Sequence, residues 1–365
     1  KSKLPEYVAV RDIAIQPKTN DLVLATHGRG IFIIDDISPF RSLSPELLQR
    51  DAALLPTRPA AVTTGHYSQA FPATDAYVGP NSTENAVIQY YLKDRLSTGE
   101  VTVEILDAAG KKLVSFPGTK RKGINFVQWD MRTVPPKAAR GVLVQGEAGV
   151  YAGFIGQLAL PGKYQVRLTA GAYTETGTLE LVPDPLQPGL DYAQRRMISS
   201  ELFGMVEDLG YLVAQVQALK DSAALRAGAA RNASLKNKLN AYAAQLEDFR
   251  KTLTETIESK GITGEQQLRA RLGKLYVFTE ISDELPTQSV MDRLQVVRTE
   301  IQQARAKADG LFGKDLAGLN LGLQKEKLAP LTLLDRAGFE KQYEAGAAPA
   351  GGKGELWRQI RAALD

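Results

Sequence analysis

The 365-residue chain has no cysteine and only two histidines, His27 and His66. Without cysteine there is no disulfide, no thiolate nucleophile and no cysteine-based metal site. Two histidines are too few for the ligand sets of zinc, copper or iron, so neither a metal nor any other cofactor is expected. No apolar run approaches the roughly 18 residues that span a bilayer, so no membrane span is expected. Charge of one sign is scarce as well: 45 Lys and Arg against 41 Asp and Glu leave a net +4. Between residues 191 and 312 the tally is 17 basic against 16 acidic. That is a mixed solvated face rather than a phosphate-binding stripe, and no nucleic-acid partner is expected.

What is present is the material of a folded protein. Hydrophobic residues make up 44% and charged residues 24%, and the length calls for two or three domains. The opening "KSKLPEYVAV" carries no initiator Met and no apolar signal core, so the chain is expected to be the C-terminal part of a longer protein. Apolar residues then recur with strand character over residues 8–35, where "LVLAT" and "IFIID" flank the turn "HGRG". Glycine in that turn supplies the positive φ of a tight hairpin. Three short strands do not close a core alone and need partners from elsewhere.

Further along, the period changes twice. Residues 41–80 read as a connector with one short helix after Pro45. Residues 81–186 hold short alternating runs, "AVIQYYL", "EVTVEIL", "KLVSF", "INFVQWDM", "GQLALPG", "KYQVRLTA" and "TGTLELV", the pattern of an antiparallel β-sandwich. Pro183, Pro185 and Pro188 end this pattern. Helical stripes follow over 187–315: Leu202 to Val216, Leu235 to Leu253, Leu268 to Leu275 and Val290 to Leu311. Asp191 with Gln194, and Thr263 with Gln266, have capping-box spacing. Four helices with short links predict an antiparallel bundle. Residues 316–365 are glycine-rich and read as irregular, with a short terminal helix near Glu355 to Leu364. The predicted fold class is thus multidomain β plus α.

Two segments carry a family resemblance. "VRDIAIQPKTNDLVLATHGRGIFIIDDISPFRSL" resembles the last propeller blade of large exported bacterial proteins described as glycosyl hydrolases with Asp-box (BNR) repeats, whose propellers are of the sortilin type. "VTVEILDAAGKKLVSF", "KGINFVQWDMR" and "LPGKYQVRL" resemble the Ig-like sandwich that follows in those proteins. The resemblance covers residues 5–186. It implies a partial propeller blade over 1–40, an Ig-like sandwich over 81–186, an upstream propeller of the same protein as partner, and a periplasmic or extracellular location. The Asp-box itself, Ser-x-Asp-x-Gly-x-Thr-Trp, is absent, and "IIDDISPF" occupies its place, so no family catalytic residue carries over.

The candidate site residues each have a plainer reading. Asp35 and Asp36 are the candidate acid/base pair for glycosidic cleavage, yet neighbours on a strand point to opposite faces, as at a strand end entering a turn. His27 and Arg29 are candidates for contacting an anionic sugar, against a structural hairpin turn with no second acid or nucleophile nearby in sequence. His66 lies in a polar connector, and Trp129 with Asp130 reads as core before sugar platform. The expected role is a non-catalytic accessory region recognising a protein or glycan ligand. The alternatives are a glycoside hydrolase with its site near the His27–Asp36 loop, and an adaptor acting through the helical bundle.

Overall fold

The computed structural model describes residues 7–63, 83–139, 148–255, 267–282 and 284–345. Helix and sheet segregate into two units, Lys1–Thr133 with Leu158–Gly189, and Val134–Gln157 with Leu190–Asp365. The predicted order of one uninterrupted β region and then one helical region is therefore corrected. The described residues 134–139 and 148–157 leave the sheets and belong to the helical unit, where Tyr276 Oη donates to the Ile155 carbonyl at 2.8 Å.

The first unit opens with an antiparallel meander of β1 (Val10–Gln16), β2 (Asp21–Thr26) and β3 (Ile31–Ile34). Helical turns α1 (Ser38–Arg41) and α2 (Pro45–Gln49) follow, the second capped by Ser44, whose Oγ accepts from Leu47 N–H at 3.2 Å. Two very short strands come next, β4 (Ala52–Leu54) and β5 (Ala60–Ala61). The short helix expected after Pro45 is α2, whereas β4 and β5 correct the reading of the other described residues of 41–80 as connector, being too short to show a period of two. Six longer strands complete the unit: β6 (Ala86–Leu92), β7 (Val101–Leu106), β8 (Lys112–Pro117), β9 (Gly123–Trp129), β10 (Gly162–Ala170) and β11 (Tyr173–Val182). They build a five-stranded sheet, β5-β11-β10-β7-β8, and a three-stranded one, β4-β6-β9. "GQLALPG" is not a strand: it contributes a single bridge, Arg132 with Leu158.

Alternation decides what these strands bury. Val101, Val103 and Ile105 are fully buried, while Thr102 and Glu104 between them are not. On the outer face Glu104 stands opposite Arg167 in register and accepts from its Nε at 2.7 Å. The side-chain bond from Arg167, opposed by slight desolvation and helped by Lys112, holds the Glu104 carboxyl below its ordinary range. Trp129 is 0% exposed, meets Tyr164 edge-on at 5.6 Å and donates Nε1–H to the Arg132 carbonyl. It is core, and its indole face is not offered to a sugar.

In the second unit, α3 (Tyr192–Ala229), α4 (Ala233–Thr254), α5 (Leu268–Ile281) and α6 (Gln288–Gly310) carry the four predicted stripes. Asp191 accepts from the N–H groups of Ala193 and Gln194, closing the start of α3. The Thr263/Gln266 box lies outside the described residues. Side-chain pairs give the helix directions. A link of only three residues, 230–232, together with the pair Lys220–Glu247 sets α4 antiparallel to α3. Phe203 with Tyr276 and Ser199 with Glu280 set α5 antiparallel to α3. Arg298 with Glu201 and Arg305 with Asp208 share one sequence offset, 97, so α6 runs parallel to α3.

α4 and α5 consequently run the same way, which corrects the prediction of alternating antiparallel helices. The link between them, residues 255–267, reaches about 43 Å when extended. That exceeds the roughly 33 Å length of α4. The segment after residue 315 is also more regular than predicted. A π-helical turn, Leu311–Asp315, joins α6 to α7 (Leu316–Lys325), and α8 (Arg336–Ala345) follows. Leu316, Leu319 and Leu323 form its buried stripe, and Gly322 permits close approach, since a Cβ there would stand 2.7 Å from Leu235 Cδ1. The predicted terminal helix lies outside the described residues.

Candidate functional site

The loop from His27 to Asp36 is built by the β2–β3 hairpin. Gly28 and Gly30 take φ of 72° and 84°, a left-handed region costly for other residues. Thr26 closes the turn through its N–H and Oγ1, both bonded to the Gly30 carbonyl. His27 donates its backbone N–H to the Ala9 carbonyl at 2.9 Å. The side chains of His27 and Arg29 project from an exposed turn. Neither makes a hydrogen bond or ion pair among the described residues.

Asp35 and Asp36 lie at the other end of β3, about 13 Å of strand away at its ordinary rise. The structure does not gather the four candidates into one constellation. Asp35 is exposed and Asp36 buried, as diverging neighbours should be. Asp36 adopts φ of 44° and accepts from Ser38 N–H, starting the turn into α1.

Sequence reasoning missed the residue that organises this corner, Asp21. Its Oδ1 accepts from Asp36 N–H at 2.9 Å and its Oδ2 from Thr19 Oγ1 at 2.5 Å. Arg58 stands 3.7 Å away and also donates to the Thr19 carbonyl. Asn20 binds the same corner, through Nδ2 to Ser38 Oγ and through its carbonyl to Ile37 N–H. Partial desolvation pushes the Asp21 carboxyl up, but the bonds from Thr19 and Asp36 and the Arg58 charge outweigh it, and the net shift is downward. The only sequence signal was an aspartate opening a strand next to a polar turn. Both carboxylate oxygens of Asp21 are engaged by its own chain, which is the chemistry of a lock.

A second polar cluster, also missed, is buried in the helical unit. Glu280 is 1% exposed and accepts from Ser199 Oγ. Gln157 donates to Ser199 Oγ at 2.8 Å, and Arg195 donates to the carbonyls of Thr279 and Glu280. This set ties α3 to α5 inside the core, away from solvent. Among the described residues no group of three or more His, Asp or Glu is placed to hold a metal ion, and no helix is long and apolar enough to cross a membrane. No protein-family model matches the chain, and no curated protein matches it.

Proposed function

We propose that this chain is a non-catalytic accessory and binding region of an exported β-propeller protein, with β1–β3 forming part of a blade. The observation that carries this reading is that the meander presents isoleucines to solvent on both faces. The pairing Ile13–Leu24–Phe32 and Ile15–Leu22–Ile34 defines one face, and Ala14–Val23–Ile33 the other. Ile13 is 61% exposed on the first face, and Ile33 is 60% exposed on the second. A sheet apolar on both sides is one built to be covered on both sides. Each isoleucine so covered would add about 1.5–3 kcal/mol. A propeller supplies such cover, since each blade packs between two others.

The same reading takes the five-stranded sheet and the β4-β6-β9 sheet of the first unit as an Ig-like sandwich. Their support is the alternating burial and the Trp129–Tyr164 contact between the sheets. Periplasmic or extracellular location rests on the resemblance of "ATHGRGIFIIDD" and "GINFVQWDMR". The ligand class in this reading is a protein or a glycan.

Hydrogen exchange tests the reading. Amides of residues 10–34 should exchange fast in this chain alone and slow at least tenfold when the chain is joined to the propeller proposed to precede it. Unchanged exchange sinks the blade assignment. Glycoside turnover by the isolated chain, lost in Asp35→Ala or Asp36→Ala, overturns the non-catalytic reading in favour of a hydrolase.

A further inference from the structure

Helices α5 and α6 leave between them an open groove of about 680 Å³. Its lining follows helical spacing on both sides. Leu275 and Phe278 come from α5, and Val290, Val296 and Val297 from α6. Leu275 and Val297 are buried as a floor, whereas Phe278 and Val296 are 45% and 53% exposed as walls. Every charged residue lining the groove is cationic: Arg271, Lys274 and Arg293. Arg271 is committed to Glu300 at 2.7 Å. Lys274 lies over the Phe278 ring at 5.8 Å. Neither Lys274 nor Arg293 has a carboxylate within ion-pair distance among the described residues.

We propose that this groove is the docking site of an acidic amphipathic helix from a partner protein. α5 runs antiparallel and α6 parallel to α3, so the two are antiparallel to each other, and the groove between them runs for about two turns, roughly 10 Å from Arg271 to Phe278. A third helix fits such a trough by laying residues at i, i+3 or i+4, and i+7 onto its floor. Charge complementarity selects the flanks: Asp or Glu on the incoming helix meets Lys274 and Arg293. A second copy of this chain is the poorer occupant. A two-fold contact through this groove would bring the cations of both copies together. The inference uses neither the meander nor the sandwich, so its failure is separable from failure of the proposed function.

The test uses the full chain and two synthetic helical peptides with the same leucine stripe, one flanked by Glu and the other by Lys, followed by fluorescence anisotropy. The Glu-flanked peptide should bind saturably with a Kd of micromolar order, and the Lys-flanked one at least about tenfold more weakly. Lys274→Glu with Arg293→Glu, both surface changes, should reverse that preference, and Val296→Asp should weaken both peptides. Unchanged thermal melts of these variants show that the fold is intact. Equal affinity for the two peptides, or no saturation by the acidic one, overturns the proposal. So does laurate that binds where the acidic peptide does not, which assigns the groove to a fatty-acid-like anion. Sedimentation showing a dimer that Val296→Asp abolishes assigns it to self-association instead.

Discussion

Asp36 donates its backbone N–H to the carboxylate of Asp21 at 2.9 Å, across fifteen residues of chain. The bond joins the β1–β2 turn to the exit of β3, so the corner that carries the candidates Asp35 and Asp36 is held by an aspartate outside that pair. Asp21→Ala should therefore loosen residues 16–38 by about 1–2 kcal/mol, because it orphans the Asp36 N–H and the Thr19 hydroxyl. Asp35→Ala, at an exposed position, should stay within about 0.5 kcal/mol. Local hydrogen exchange measures both, and equal effects would contradict the assignment of Asp21 as the lock.

Gly204 and Gly210 sit six residues apart on α3 and look alike in sequence, yet their surroundings differ. A Cβ at Gly210 would collide with the Lys137 carbonyl oxygen, while at Gly204 it meets nothing within 4 Å. Gly210→Ala should cost about 1–3 kcal/mol by displacing residues 137–139 from the helix. Gly204→Ala should stabilise by about 0.5–1 kcal/mol through helix propensity. Urea denaturation of the two variants decides the matter, and matching shifts would refute the close approach.

Glu247 accepts from Arg250 and Lys220, and these bonds, Arg250 first, bring its pKa down to about 2. A carboxyl with a depressed folded value contributes stability above its unfolded value. That contribution fades as pH falls from about 5 towards 2. Glu247→Gln should then cost about 1 kcal/mol at pH 7, allowing for its partly exposed partners. Its denaturation curve should converge with that of the parent chain near pH 2. A gap independent of pH would mean that packing, not charge, is what the substitution removes.

The parallel course of α3 and α6 is testable because the chain has no cysteine of its own. Paired thiols at Glu201→Cys with Arg298→Cys, or Asp208→Cys with Arg305→Cys, should be bridged by a short bismaleimide. The crossed pair Glu201→Cys with Arg305→Cys is offset by about 10 Å along the axis and should not be. Bridging of the crossed pair alone would reverse the direction of α6.

Much of the local structure was legible because it is written in periodicity. Val101, Val103 and Ile105 alternate and are all buried. Leu202, Val206, Leu209, Val213 and Val216 step along one face of α3 and are all buried. β4 and β5, three and two residues long, are too short to repeat the two-residue period and left no such trace. α7 was hidden because its glycines read as breaks, whereas Gly322 serves close packing against Leu235.

By itself the sequence determined the absence of thiol and histidine-rich metal chemistry, the change from strand to helix after Pro183, and the caps and turns at Asp191, Gly28 and Gly30. Each depends on a residue and its near neighbours. Only the tertiary structure decided that residues 134–139 and 148–157 join the helices, that α4 and α5 run alike, that Asp21 rather than Asp35 anchors the β3 corner, and that cations line the α5–α6 groove. Those outcomes depend on which groups meet across tens of residues, where long-range packing and hydrogen bonding choose among arrangements that local pattern leaves equal.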